Sequence, residues 1–195
     1  VGYEVVSDSV FSKISDTCTP QGVLCVLKQF HYNIEEMLRD KAPLFLLLEN
    51  IQDPGNLGTM LRTGEGAGVS GIIMSRDTVD LYNPKVIRST MGSIYRVPFY
   101  YADDFAAAVH QVQQAGVSVY AAHLRGKNSY ACQDYTKGTA FLIGNEGNGL
   151  REETAELADC YIRIPMEGKV ESLNAAVASS ILMYEAHRQR ETIEK

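Results

Sequence analysis

The chain predicts an α/β fold: a mostly parallel sheet covered by helices on both faces. Three observations carry that expectation. From Leu44 onward, strand-like and helix-like segments alternate regularly. The first core segment, PLFLLLEN from Pro43 to Asn50, is near-continuously apolar, as suits a strand buried on both faces. Capping aspartates and stop glycines fall at the expected junctions, such as Asp103 or Asp104 before one helix and Gly116 after it.

Each element can be read in order. Residues 1–40 give a strand at Tyr3–Val6, a short helix at Ser7–Ser15 and a turn at Thr19-Pro20. A strand at Gly22–Lys28 and a helix over Asn33–Arg39 follow. The core strand at Leu44 leads into a helix over Leu57–Gly68 that Asn56 can cap, and then a strand at Gly71–Arg76. A helix at Pro84–Thr90 precedes a strand at Ile94–Tyr100, and the next helix runs to Ala115. Strands at Val117–Ala122 and Thr139–Ile143, a short helix at Arg151–Ala158 and a last strand at Tyr161–Ile164 complete the sheet. The chain ends in a long helix with Leu173, Ala176, Val177, Ser180, Ile181 and Tyr184 on one stripe, capped by Ser172 or Asn174.

Composition narrows the class. With 195 residues, 45% hydrophobic and 22% charged, the chain fits one globular domain with room for a small appendage. No apolar run approaches the ~20 residues that span a bilayer, and the N-terminus lacks the plan of a secretory signal. The chain starts without methionine, inside what reads as a strand, so Val1 is expected to be a cut or processed end. Cys18, Cys25, Cys132 and Cys160 form no C-x-x-C pair and meet no histidine at metal spacing. They read as free thiols of a reducing cytoplasm, with no metal site. The net charge of −6 argues against binding nucleic acid through bulk charge, although local arginines can still do so.

Three segments carry chemistry, and one decoy does not. Gly66 to Gly71 matches G-x-G-x-x-G, but these glycines follow a helix and open a strand, the reverse of a dinucleotide fingerprint. Glu49–Gly68 follows the first core strand, where open α/β sheets bind ligands; it contains Asn56 and, two turns into the helix, Arg62. Spacing leaves open whether Arg62 is functional or an ordinary surface arginine. FLIGNEGNGL, Phe141–Leu150, carries Glu146 in a glycine-rich loop that is not a P-loop, because no lysine is followed by serine or threonine. A tight turn with a solvated carboxylate is its alternative. Finally, Ile164–Arg190 crowds Glu167, Lys169, Glu171, Ser172 and Asn174 into a strand-to-helix junction.

Taken together, N-x-x-D-P-x-N-x-G-x-x-x-R, G-x-E-x-x-G-L and I-P-M-x-G-x-x-x-S-L-N occur in this order after successive strands. The chain thereby resembles the SPOUT superfamily, specifically its SpoU (TrmH-like) branch of RNA ribose 2′-O-methyltransferases, over residues 44–190. The resemblance implies a C-terminal deep trefoil knot, an exception to unthreaded chains, in a methyltransferase domain over residues 41–195. Residues 1–40 are then the remnant and linker of an N-terminal RNA-binding domain. It further implies S-adenosylmethionine as methyl donor, without a metal, held at Gly144, Ile164 and Leu173 with Ile143 and Met166 beside them. Arg62, Asn56, Glu146, Ser172 and Asn174 match the family's catalytic positions. Arg62 matches the arginine credited with accepting the ribose proton, but a guanidinium of pKa about 12 or above is a poor base, and gripping phosphate is the alternative role.

The expected partners are RNA, ribosomal more than transfer, and a second copy of the chain in a cytoplasmic homodimer. Arg88, Arg125, Lys127 and Arg151 are further candidates for phosphate contact. Two rival readings share the fold: a methyltransferase acting on a base nitrogen, and a catalytically idle RNA-binding protein.

Overall fold

The computed structural model describes residues 2–15 and 17–191. Val1 and residues 192–195, expected at the ends of the two segments, lie outside the described residues. The chain divides into two compact units, residues up to Phe30 and those from His31. Among its described residues the first holds one helix, α1 (Asp8–Ile14), flanked by Ser7 and Ser15 in extended conformation and burying none of its residues. The strands expected at Tyr3–Val6 and Gly22–Lys28 do not form. Both stretches have the right composition but no ladder partner, and Tyr3, Val5, Val23 and Val26 stay exposed.

From His31 the alternation is realised. The elements are α2 (Ile34–Met37), β1 (Leu44–Leu48), α3 (Pro54–Ala67), β2 (Gly71–Ser75) and α4 (Pro84–Ser89). Next come β3 (Phe99–Ala102), α5 (Phe105–Gln114), β4 (Ser118–Ala122), the two-residue β5 (Asn128–Ser129) and β6 (Thr139–Ile143). The chain closes with α6 (Glu152–Ala155), β7 (Cys160–Arg163) and α7 (Ala175–Glu191). All strand pairs are parallel, in the order β3-β2-β1-β6-β4-β7-β5. The sheet therefore grows outward from β1 to β3, then leaves a gap beside β1 that β6 fills, pairing Leu44–Leu48 on one side and Ser118–Ala121 on the other.

The period-2 geometry of a strand sends alternate side chains to opposite faces, and β1 uses both. Leu44, Leu46 and Leu48 face α3 and α7, in the cluster with Leu57, Leu61 and Leu182. Phe45 and Leu47 face the other way, toward α2 and α5 with Ile34, Met37 and Val109. This double burial is why the segment reads as an unbroken apolar run. Met37 fixes the position of α2, since its sulfur fills the space that a side chain at Gly71 would need. The sequence division near residue 40 and the break at Phe30 thus differ by the α2 segment, which packs on the sheet.

Four local expectations are corrected. First, Helix α3 begins at Pro54, not Leu57, and its cap is Asp53, which accepts from the Asn56 N–H at 2.8 Å. Proline at the first helical position loses no needed donor, and Asn56 is freed for another task. Second, the strand expected at Ile94–Tyr100 is instead a 3-10 turn at Ser93–Tyr95 followed by β3. Met91 and Gly92 take left-handed backbone, with φ of 51° and 89°, and turn the chain before Ile94 is buried. Third, β5 and a 3-10 turn at Tyr130–Cys132 occur where no element was expected. Fourth, the stripe on α7 is rotated: Ala176, Ser179, Leu182, Met183 and Ala186 are buried, whereas Val177 and Tyr184 are each 48% exposed. Small residues let α3 and α7 approach closely, for a side chain at Gly64 would collide with Val69 and approach Met183.

Candidate functional site

Because every strand is parallel, the C-terminal ends of β1, β4, β6 and β7 share one edge, and the loops leaving them meet there. A cleft of about 310 Å³ opens at this edge, between the loop after β6, the end of β4 and the junction from β7 to α7. Ile143, Gly144, Ile164, Met166 and Leu173, the positions expected around a methyl donor, all line it. So do Glu146 and Ser172. Its volume and its mainly apolar walls with a few converging polar groups suit a small organic ligand.

The glycine-rich loop is shaped by close backbone contact. Asn145 and Gly149 exchange both backbone hydrogen bonds, at 3.0 and 2.9 Å, and the Asn145 side chain accepts from the N–H groups of Gly147 and Asn148. A Cβ on Gly144 would lie 2.2 Å from the backbone of Gly149 and Leu150, so the loop closes only over a glycine. Behind it, Glu49 is 1% exposed and accepts from the Arg151 N–H at 2.8 Å, from the Arg151 guanidinium and from Thr154. Arg151 also pairs with Asp77, tying the loop after β6 to the ends of β1 and β2.

Glu146 does not dangle in solvent as its alternative reading had it. It accepts from the backbone N–H of Gln52 at 3.1 Å, from that of Asp53 at 3.0 Å and from the Asn56 amide at 3.0 Å. Burial alone would raise its pKa, but these donors outweigh burial and hold the carboxyl below its ordinary value. Asn56 in turn accepts from the Asn174 amide at 3.0 Å, and the Asn174 oxygen accepts from the N–H groups of Ala176 and Val177. Asn174, rather than Ser172, therefore caps α7. Every amide orientation in this relay is forced. The carboxylate at one end only accepts, and the open end of α7 only donates, so Asn56 and Asn174 must each point nitrogen toward Glu146 and oxygen toward α7.

The structure thus joins Asn56, Glu146 and Asn174, which are 118 and 90 residues apart in the pairs that touch. Arg62 stands apart from the relay: it lies about 120° around α3 from Asn56. Its side chain is exposed and has no hydrogen-bond or ion-pair partner among the described residues. Ser172 lies on the cleft wall and is exposed.

Of the cations considered for phosphate, Arg125 is engaged with Glu152 and Arg151 with Glu49 and Asp77. Sequence reading missed His123 at the end of β4, which also lines the cleft. Its Nδ1 accepts from the Arg125 N–H at 3.1 Å, and its ring packs on Tyr161. Burial, assisted by the Arg125 charge, lowers its pKa. The one available signal was its place directly after a strand at the ligand-binding edge.

This architecture has known counterparts. Residues 43–184 match the SpoU rRNA Methylase family. The chain is 35% identical over 180 residues to the 23S rRNA (guanosine(2553)-2′-O)-methyltransferase RlmP of Bacillus subtilis, covering 92% of this chain and 70% of that protein. It is 33% identical to the 23S rRNA (guanosine-2′-O-)-methyltransferase RlmB of Ralstonia nicotianae, covering 92% and 74%. Among solved structures, the AdoMet-bound rRNA methyltransferase from Sinorhizobium meliloti superposes with a TM-score of 0.85 at 36% identity, over 93% of this chain and 70% of that one. The SpoU methyltransferase AviRb from Streptomyces viridochromogenes gives 0.78 at 30% identity, over 82% and 64%. The family match spans most of the chain, and relatives at 33% and 35% identity are covered over more than two thirds of their length: the chain belongs to the SpoU rRNA methylase family.

Proposed function

We propose that this protein transfers a methyl group from S-adenosylmethionine to a ribose 2′-hydroxyl of RNA, ribosomal RNA before transfer RNA. The observation that carries the reading is the Glu146–Asn56–Asn174 relay at the mouth of a cleft lined by all five expected donor positions. Relatives named for 2′-O-methylation of 23S rRNA favour the ribose over a base nitrogen, and the intact relay favours an active enzyme over an idle one. The residues present fit the donor. Ile143, Ile164, Leu173 and Met166 offer apolar walls for a flat base, and the closed loop at Gly144 exposes backbone groups that can read its polar edge.

Bound there, S-adenosylmethionine supplies a methyl carried on a positively charged sulfur, activated by its own leaving group, so that no metal is needed. The protein's share is positioning and charge. The relay holds Asn56, Asn174 and the start of α7 in one arrangement. Arg62, unneutralised by any carboxylate among the described residues, grips an RNA phosphate and stabilises negative charge developing on the 2′-oxygen. As the methyl passes from sulfur to that oxygen, S-adenosylhomocysteine leaves and the hydroxyl proton passes to the phosphate or to water. Ser172, on the cleft wall, contacts donor or ribose. Arg62→Ala is expected to abolish methylation of unmodified rRNA while leaving donor binding, read by calorimetry, nearly intact; full activity would remove Arg62 from the mechanism.

The reading includes the trefoil knot, which the insertion of β6 between β1 and β4 and the match to SpoU structures support. It includes residues 1–40 as the remnant and linker of an N-terminal RNA-binding domain. It also includes a homodimer built on α7, where Val177 and Tyr184 present exposed apolar surface one helical stripe away from the core. No helix among the described residues is long and apolar enough to cross a membrane. With four free cysteines and an RNA substrate, the cytoplasm is the proposed location.

A further inference from the structure

Gly58, Arg62 and Glu65 occupy one stripe of α3, since residues four and three apart stack on a helix face. The segment from α4 to the following 3-10 turn is pinned to both ends of that stripe. At one end, Gly58 touches Ser89 so closely that a Cβ would lie 1.7 Å from its hydroxyl. At the other, Arg96 forms an ion pair with Glu65, with a second contact at 2.9 Å. The residues between these pins, Thr90 to Tyr95, must therefore run past Arg62. In the middle of them stands Met91, 70% exposed and with φ at 51°, a backbone conformation that a side chain of its size rarely adopts. Nothing in the fold requires methionine there, and glycine would suit the backbone better. A large apolar side chain held out at a cost in backbone strain, on a turn pinned to the helix that carries Arg62, reads as built for a ligand. The side chains of Arg88 and Lys85, on the exposed side of α4, also have no hydrogen-bond or ion-pair partner among the described residues. In a chain of net charge −6, three cations on α3 and α4 without a carboxylate partner among the described residues, together with the exposed Met91 that follows α4, complement a polyanion that carries flat apolar faces.

We infer that the Met91 turn, with Arg88, is the outer wall of the RNA site: Met91 packs against the base of the target nucleotide or its neighbour, and Arg88 holds an adjacent phosphate. The inference rests on the proposed function and deepens it by naming where RNA lies. The sequence carried Arg88 only as one of several possible phosphate contacts, and it gave Met91 no role.

The test uses the full chain, labelled S-adenosylmethionine, and unmodified transcripts of 23S rRNA, 16S rRNA and tRNA. Met91→Gly relieves the backbone, so its melting temperature should equal or exceed that of the wild type. Its kcat/KM on the methylated transcript should fall at least about tenfold, the scale of removing one buried methionine side chain, with donor affinity unchanged. Met91→Ala should show the same loss. Arg88→Ala should weaken RNA binding and reduce the salt dependence by about one phosphate contact. Wild-type kcat/KM in both Met91 variants would overturn the inference while leaving the proposed function standing. So would a Met91→Gly variant whose sedimentation changes but whose RNA kinetics do not, since the surface would then belong to a second copy. A wild-type protein that methylates none of the transcripts would overturn both, and would do so before any variant is measured.

Discussion

Removing the Glu146 carboxylate tests the physical core of the site. Glu146→Ala strands three donors: the N–H groups of Gln52 and Asp53 and the Asn56 amide. A hydrogen bond to a charged group contributes about 1.5–3 kcal/mol when water cannot replace it. Here Glu146 is only partly buried and the backbone donors face solvent, so water recovers much of that. A net loss of about 2–3 kcal/mol remains, or about 5–10 °C in melting temperature for a chain of this length. Glu146→Gln separates charge from shape. Its amide oxygen can serve Asp53 and Asn56 together, but its NH₂ then faces the Gln52 N–H, donor against donor, and an intermediate loss is expected.

The same pair gives a pH signature. The folded carboxyl titrates below its ordinary value of 4.5, so the unfolded chain binds more protons through that range and stability rises with pH. The contribution is complete above about 4.5 and is lost as pH falls through the folded pKa. The gap in melting temperature between wild type and Glu146→Gln should hold steady from neutral pH to about 5 and shrink below it. A cycle with Asn56→Ala should be non-additive, because both residues serve one relay. Calorimetric melting within about 2 °C of wild type for Glu146→Ala, with additive effects, would refute the relay as a supporting element.

Two further outcomes follow from the packing. Gly144→Ala places a methyl 2.2 Å from backbone that cannot move aside, so donor binding measured by calorimetry should disappear; retained affinity would mean that the loop closure does not shape the cleft. Arg190, at the end of α7, donates to the carbonyls of Ala42, Pro43, Tyr135 and Lys137 and has no carboxylate partner among the described residues, its pKa lowered by burial. Arg190→Ala should destabilise by about 2–4 kcal/mol in urea unfolding. Arg190→Lys should rescue little, because an ammonium cannot reach four acceptors arranged for a planar fork. An unchanged midpoint in either variant would refute the clamp.

Much of the fold was legible because its signals are local. Doubly buried strands such as Leu44–Leu48 and Thr139–Ile143 announce themselves by unbroken apolar runs, and Asp104 and Gly116 mark the ends of α5. Misreadings arose where a non-local partner decides. Gly22–Lys28 has strand composition without a ladder to join, and Ile94 and Val97 are apolar because an irregular segment buries them. Asn56 looks like a helix cap by type and position. Only the geometry reveals that Asp53 takes the cap and leaves Asn56 to bridge Glu146 and Asn174.

By itself, then, the sequence determined the alternation of elements, the three polar motifs and their order, because periodicity, capping and turn chemistry are written residue by residue. The strand order was beyond it, since inserting β6 between β1 and β4 depends on pairing energies between segments far apart in the chain. So were the direction of each amide in the relay, the cleft face of His123 and the pinning of the Met91 turn to α3 through Ser89 and Arg96. Each is a property of distances between groups that the chain separates and only the folded backbone brings within hydrogen-bonding or packing reach.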